Sequence, residues 1–446
     1  MARVLVVADD LTGANATGAR FARVGLSTAS VIVPDAVGAI AADHEVVVTS
    51  TSSRHVAPEE AAQLVEAAIE AAGEVALVVK RTDTTLRGNI GSEIEAALRQ
   101  VRRHHPHARA IFVPAFPEAG RITVGGLQLV DGVAVARSPA GRDHLTPVTS
   151  SRVADVVRQQ AELTVREIHL DVVQDDEDVL TQALASAGSG EGVQAGGGEG
   201  SDVLVIDATD RHDLTAIARA AARCVREHGA HWLVVDPGPF GPELATSLGL
   251  TSLPDDADAR DVATPVDALP LLVVAGSVTR ATREQLVALE HVHDASFLDL
   301  DVADFEEAAT IDELVRLLAG STAGGVVGLR TAAGESQVVT LDRESAEAIP
   351  RRLGTIVREV LRRVDVGGLY LTGGDVTIGV LDELGGSAIA IDDEVLPLAV
   401  TGRVVGGPHA GLRVVTKGGL IGDTMATVAC IDALRRRSID DRKATP

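Results

Sequence analysis

Aromatic residues, cysteine and positive charge are all scarce in this sequence, and each shortage narrows what the chain can be. Aromatics make up 2% of its 446 residues, while hydrophobic residues reach 46%. The core must therefore be built from Val, Ala, Leu and Ile, the usual filling of a parallel sheet covered by helices. The two cysteines, Cys224 and Cys430, lie far apart in sequence, so neither a disulfide framework nor a cysteine zinc site can be made from them. Lys and Arg number 40 against 64 Asp and Glu, a formal net charge of -24. That balance argues against a nucleic-acid or anionic-membrane partner, because such binding depends on basic patches that release counterions. It leaves room for a small anionic ligand, since a local cluster of Arg and Lys dominates within a Debye length of about 8 Å at physiological salt. Every apolar run is interrupted by Asp, Arg or Gly before it reaches membrane-spanning length. Met1-Ala2-Arg3 leads straight into a short strand, without the long apolar core of a signal peptide. A reduced, cytoplasmic setting is the expectation.

The length fits two domains rather than one core. Short β-branched runs at Arg3–Val7, Val46–Thr49, Val75–Val79, Ala110–Val113, Val203–Ile206 and Trp232–Val235 read as buried strands. Ala-rich helical stretches such as Pro58–Ala72 and Ser92–Arg103 stand between several of them. This alternation predicts an α/β fold in which each domain has a mainly parallel sheet flanked by helices. Between Gly120 and Thr146 the rhythm breaks into short Gly-, Pro- and Asp-containing pieces, which reads as a loop or hairpin excursion able to wall a site. Residues 186–202 are a Gly-rich, low-complexity stretch expected to be a flexible surface loop. Residues 250–270, rich in Pro and acidic residues, read as a linker between a first domain (1–249) and a second (271–434). The second domain runs through strands near Leu271–Val274, Gly325–Leu329, Gly368–Leu371, Ala388–Ile391 and Leu412–Val415, and a charged tail, 435–446, follows. An exposed apolar helix would support a homodimer.

Polar residues after such strands fall at strand carboxyl ends, where open α/β sheets bind ligands. Asp9-Asp10-Leu11-Thr12-Gly13 follows the first strand and opens a helix. Adjacent residues in an extended chain point to opposite sides, so only one of the two aspartates is expected to face a ligand, the other anchoring the turn. The stretch Lys80-Arg81-Thr82-Asp83-Thr84-Thr85-Leu86-Arg87 puts cations, a carboxylate and hydroxyls into one strand-to-helix turn, a density without a packing purpose. Its cations suit a substrate carboxylate, which Arg87 could hold in bidentate fashion, and Asp83 is placed to accept a hydroxyl proton. Glu93 reads as a macrodipole partner in the next helix. Arg54, Arg121 and Arg142 also fall near strand ends. In the second domain, Gly276-Ser277, Thr372-Gly373-Gly374-Asp375 and Lys417-Gly418-Gly419 each close a strand. Glycines let backbone amides approach phosphate oxygens, and a helix N-terminus favours an anion, so three such loops point to a nucleotide phosphate site.

Competing motifs fail. No Gly-x-Gly-x-x-Gly follows the first strand, and the chain has neither a Gly-x-x-x-x-Gly-Lys-Ser/Thr loop nor a Gly-x-Ser-x-Gly elbow. His104, His105 and His107 sit in a charged stretch beyond a helix and read as solvated surface rather than a metal site.

Taken in order, Ala8–Asn15, Lys80–Gly88, Pro114–Pro117 with Gly120-Arg121, Thr372–Asp375 and Lys417–Gly419 resemble the four-carbon acid sugar kinase family, whose members phosphorylate D-threonate, D-erythronate or 3-oxo-tetronate at the terminal hydroxyl. The resemblance runs from Val4 to about Leu434. It implies an N-terminal sugar-acid domain, a C-terminal ATP domain, Mg²⁺, and a reaction in the cleft between the domains. By motif position, Asp9, Asp10, Arg54, Lys80, Arg81, Thr82, Asp83, Thr84 and Arg87 would serve the sugar acid, with Asp83 or Asp10 as the base. Ser277, Gly373, Gly374, Asp375, Val376, Lys417, Gly418 and Gly419 would serve ATP. Val376 stands where the family often has Thr, Gly418 where it often has Ser, and Leu420-Ile421 where Gly-Phe is usual. A sugar-acid-binding regulator that kept the fold and lost turnover is the alternative of a different class.

Overall fold

A computed structural model of the chain describes residues 2–186, 200–251, 269–302, 305–334 and 343–440. Most of the Gly-rich loop (187–199), most of the linker (252–268) and the end of the tail (441–446) lie outside the described residues. The chain divides into two compact units. One comprises Met1–Thr28 with Val37–Leu253, and the other Ala29–Ala36 with Pro254–Pro446. Among the described residues, no helix is long and apolar enough to cross a membrane.

The strands, in chain order, are β1 (Val4–Ala8), β2 (Thr28–Val31), β3 (Val46–Ser50), β4 (Leu77–Arg81), β5 (Arg109–Phe112), β6 (Arg121–Val124), β7 (Leu127–Val130), β8 (Val133–Ala134), β9 (Val165–Ile168), β10 (Val203–Ile206), β11 (Trp232–Asp236), β12 (Leu271–Ala275), β13 (Ser296–Asp299), β14 (Val326–Arg330), β15 (Gly368–Thr372), β16 (Ala388–Leu396), β17 (Ala399–Val405) and β18 (Arg413–Lys417). In the first unit the order β3-β1-β4-β11-β5-β10-β9 is parallel throughout. Strands buried on both faces need apolar side chains on both, which is why Val4 to Ala8 reads as an unbroken run and is wholly buried. The chain passes from β1 to β3 on one side and then to β4 on the other. The carboxyl ends of β1 and β4 therefore border a topological switch point, where an open parallel sheet leaves a crevice.

The excursion after Gly120 is an antiparallel ladder, β6-β7-β8. Its first turn uses Gly125 (φ 60°) and Gly126 (φ 75°), the left-handed pair that a tight hairpin demands. Asp207 accepts from both of their amides, at 2.7 and 2.9 Å, and so fixes the hairpin to the end of β10.

The second unit has the order β13-β14-β12-β15-β18-β17-β16-β2. Its first five strands are parallel, whereas β16, β17 and β18 are joined antiparallel. The early segment Ala29–Ala36 belongs to this unit, where the Ile32 amide donates to Ser387 O at 2.9 Å. From β12 the chain moves out to β13 and β14 and then crosses to β15, so β12 and β15 border a second switch point. Tyr370, the one tyrosine of the chain, is fully buried at the core of this unit, with its hydroxyl 3.0 Å from Thr427 Oγ1.

Candidate active site

The strand assignment itself moves two residues. β4 ends at Arg81, so Lys80 and Arg81 are strand residues rather than members of the turn after it, and both are buried. Lys80 is fully covered. Its ammonium donates to Arg81 O at 2.8 Å and pairs with Glu93 Oε2 at 2.8 Å, so it faces no ligand surface. The expected substrate contact by Lys80 is corrected on that ground, and Glu93 is its ion-pair partner besides being a first-turn acid. Ser53 donates to the same Glu93, and Asn89 Nδ2 donates to Ser53 O and Val56 O, both at 3.0 Å. Together these buried contacts hold the 52–55 turn, which carries Arg54. Breaking a buried pair of the Lys80–Glu93 kind by removing one partner costs about 3–5 kcal/mol, because the other charge is left uncompensated.

Both aspartates after β1 meet the same two guanidinium groups. Arg54 Nε donates to Asp9 Oδ2 and its Nη2 to Asp10 Oδ1, each at 2.7 Å. Arg81 Nη1 lies 3.3 Å from Asp9 Oδ1 and 2.7 Å from Asp10 Oδ1. The expectation that the two carboxylates point apart is therefore wrong. They lie beyond the end of β1, where alternation no longer governs, and two long arginines reach both. Burial pushes the Asp9 carboxyl up, but Arg54 and Arg81 outweigh it and hold the group below the usual carboxylate range. Gly13 is required here, because a Cβ on it would sit 1.9 Å from the Arg81 guanidinium carbon.

Asp10 and Asp83 differ sharply. Asp10 caps the helix Leu11–Arg23 by accepting from the Gly13 amide at 3.3 Å, and its side chain is 29% exposed. All of its hydrogen bonds fall on Oδ1, so among the described residues none reaches Oδ2. Asp83 has both oxygens occupied. Arg87 grips it with Nε on Oδ2 (2.9 Å) and Nη2 on Oδ1 (3.0 Å), while the Thr85 amide and hydroxyl also reach Oδ2. Burial raises Asp83, yet the Arg87 hydrogen bonds and the Arg54 charge win and hold it well below the usual range. Leu86, at φ 64°, takes the left-handed conformation that lets this loop close on Asp83.

Arg87 is 30% exposed, and its Nη1 donates to Asp143 Oδ2 at 3.2 Å. Thr82 is buried, and the Thr84 carbonyl accepts from Gln128 Nε2 at 3.3 Å. Gln128, on β7, also donates to Pro114 O at 3.0 Å and thereby ties the hairpin to the 82–88 loop. Arg121 turns to Ala119 O and Arg142 is exposed; among the described residues neither pairs with these carboxylates. Sequence reasoning missed Gln128 and Asp143, which carry no motif. It also missed Asp236, whose signal was an Asp closing a strand immediately before Pro-Gly.

The second cluster is made of backbone and hydroxyls. β12, β15 and β18 are neighbours, so the three Gly loops lie side by side at their carboxyl ends. Gly373, at φ 109°, adopts a conformation that side chains rarely reach, and it opens the helix Gly374–Glu383. Gly374 has nothing within 4 Å of where a Cβ would stand, leaving open space before the helix N-terminus. Asp375 is exposed in that first turn. Thr279 and Thr282 donate to Gly419 O at 2.9 and 2.7 Å, and Ser277 Oγ lies 3.1 Å from Thr282 Oγ1. Two expected nucleotide contacts need correcting. Val376 is buried, packed so closely on Gly276 that a Cβ there would sit 2.3 Å from Val376 Cγ2. Lys417 is buried too, donating to Gly418 O at 2.8 Å and Ile421 O at 3.1 Å, and burial pulls its ammonium down to about 8. Lys417 therefore braces the 418–421 loop from beneath. Among the described residues, no group of three or more His, Cys, Asp or Glu is placed to hold a metal ion.

Comparison with known proteins follows the same division. Residues 4–244 match the model of a sugar-binding N-terminal domain, and residues 272–426 that of a nucleotide-binding C-terminal domain. A D-erythronate kinase of Heliobacterium modesticaldum is 36% identical over 97% of this chain and 97% of its own. The chain belongs to the four-carbon acid sugar kinase family. A second family member, a D-threonate kinase of Salmonella typhimurium, is 32% identical over 94% of this chain and 95% of its own. The fold of the family is also that of a Haemophilus influenzae crystal structure, with a TM-score of 0.72 at 18% identity over 96% of this chain and 100% of the other.

Proposed function

We propose that this chain is an ATP-dependent kinase that phosphorylates the terminal hydroxyl of a four-carbon sugar acid: D-erythronate, D-threonate or 3-oxo-tetronate. In this reading residues 1–249 hold the acid and residues 271–434 the nucleotide. The observation that carries it is the carboxylate of Asp10, held on one oxygen by two arginines and a helix amide while the other oxygen is unengaged beside a charged loop. A base that is fixed and still half exposed can orient a hydroxyl and accept its proton. Asp83 suits that role less, since both of its oxygens are already held. Its part is to aim Arg87, whose Nη1 an incoming substrate carboxylate would take over from Asp143.

Phosphoryl transfer then needs positioning and charge stabilisation more than covalent chemistry. The substrate hydroxyl oxygen attacks the terminal phosphorus of ATP in line, Asp10 takes the hydroxyl proton, and the bond to the ADP oxygen breaks. The amides of Gly374 and its neighbours at the helix N-terminus suit the nucleotide phosphates, because the dipole favours an anion there. Mg²⁺ suits a site where one exposed carboxylate, Asp375, stands beside the phosphate position, and when bound it supplies charge neutralisation.

ADP release from ATP-Mg²⁺ against D-threonate, D-erythronate, L-threonate, 3-oxo-tetronates and longer aldonates tests the reading. Turnover confined to four-carbon acids is the expected result. Binding of an acid with no turnover across the panel would instead favour the non-catalytic sugar-acid binder.

A further inference from the structure

Arg81 is one of two cations that join Asp9 to Asp10, and it is the buried one, yet these contacts hold it from one side only. It is 4% exposed, and its Nε is buried with no hydrogen-bond partner in the protein. On the neighbouring strand, Asp236 stands directly opposite it in the parallel register of β4 and β11, and the Thr82 amide donates to Asp236 O at 2.9 Å. Asp236 is fully buried and its two oxygens do different things. Oδ2 accepts from the amides of Phe240 (2.6 Å) and Gly241 (3.1 Å), at the start of the helix Phe240–Ser247. Oδ1 is buried without a hydrogen-bond partner; burial pushes the carboxyl above the usual carboxylate range, with the helix-start amides and the Arg81 charge pulling against it. A buried donor and a buried acceptor, each unpaired, on facing residues of adjacent strands point to a shared partner, because each alone carries the full desolvation cost of a lost hydrogen bond.

We infer that Asp236 is a positioning residue for the active site. One carboxylate oxygen is anchored on a helix N-terminus, and the other fixes the Arg81 Nε edge through one internal water, so that Arg81 Nη1 is aimed at Asp10 Oδ1. Asp236 touches neither substrate; it acts through Arg81. Gly238 favours this arrangement, since φ 133° at that position lets the chain fold back and bring the helix amides onto Asp236.

The test uses the full chain with Asp236→Asn. The asparagine oxygen still accepts from the Phe240 and Gly241 amides, but its NH₂ donates where the carboxylate accepted, so the water that takes the Arg81 Nε–H loses its own acceptor. Two readouts follow. The first is solvent exchange of the Arg81 Nε–H, assigned by its loss in Arg81→Lys, which should be about tenfold faster in Asp236→Asn. The second is kinetic and rests on Asp10 being the base: kcat, measured well below the melting temperature of the variant, should fall roughly 10- to 100-fold with nucleotide KM unchanged, the cost of a misaimed catalytic group. Asp236→Ser, whose hydroxyl can cap the same amides and reaches no further, carries the test if the asparagine variant does not fold. Unchanged exchange in a folded variant overturns the inference, as does a kcat loss that only tracks a lower melting temperature. A wild-type protein with no turnover on any acid would instead overturn the kinase reading, and the exchange measurement would still decide the role of Asp236.

Discussion

The two units each place a switch point at the ends of parallel strands and differ in how they furnish it. Each has parallel strands between which the strand order reverses, β1 and β4 in the first and β12 and β15 in the second, and each gathers its candidate residues at those strand ends. The first furnishes the crevice with charge: Asp9, Asp10 and Asp83 are interlocked with Arg54, Arg81 and Arg87, with Asp9, Arg81 and Asp83 buried and the other three partly so. The second uses backbone: Gly373 and Gly374 at a helix start, and the Gly419 loop held by the hydroxyls of Thr279 and Thr282. A small acid with several hydroxyls is discriminated by fixed side-chain donors and acceptors, whereas a phosphate chain is served by amides and a helix dipole. The comparison predicts that damage in one unit is read out on one substrate.

The largest effect is expected from Asp10→Asn, which keeps the cap and the arginine contact on its oxygen but removes the proton acceptor. Its kcat should drop by about 10³-fold, within the span of lost general-base catalysis, in steady-state ADP release. Asp83→Asn should come next and act differently, weakening the grip of Arg87 so that acid affinity and stability fall together. Loss of a buried, hydrogen-bonded charge pair costs about 3–5 kcal/mol, measurable by urea unfolding. The folded carboxyl of Asp83 titrates below its ordinary 3.8, so its contribution is present above that value and is lost as pH falls beneath it. The variant should therefore show a flatter acid limb of stability than the wild type.

Those two variants also separate what the sequence could and could not tell. The fold was legible because strands buried on both faces leave unbroken β-branched runs: Val203–Ile206 and the helix Pro58–Ala72 have the bounds expected of them. β17 escaped notice because its antiparallel partners allow Thr401, Gly402 and Arg403 within it, and β2 because its four residues Thr-Ala-Ser-Val give no apolar run. Within the site, the residues were legible and their pairings were not. Asp10 and Asp83 looked equivalent in sequence, since what separates them is which oxygens Arg54, Arg81 and Arg87 occupy. Lys80 looked like a ligand for the acid, and its partner Glu93, on the following helix, removes it from that role.

In the second unit, Lys417 provides a pH signature. Its amine titrates at about 8 in the fold against 10.5 when free, so the native state sheds its proton first and the unfolded state binds more protons in between. Stability should thus rise with pH across that window, by on the order of 3 kcal/mol at most, and Lys417→Met should flatten the rise while raising nucleotide KM. The smallest effect is expected from Gly373→Ala. Strain at a φ that side chains avoid costs of order 1–3 kcal/mol, which should appear as about a tenfold rise in nucleotide KM with acid KM unchanged.

The most direct measurement is isothermal titration of wild type, Asp83→Asn and Gly373→Ala, each with D-erythronate or D-threonate, whichever turns over, and separately with a non-hydrolysable ATP analogue and Mg²⁺. The account predicts that Asp83→Asn loses affinity for the acid alone and Gly373→Ala for the nucleotide alone. Equal loss of both ligands in either folded variant, or nucleotide affinity that follows Asp83, would contradict it.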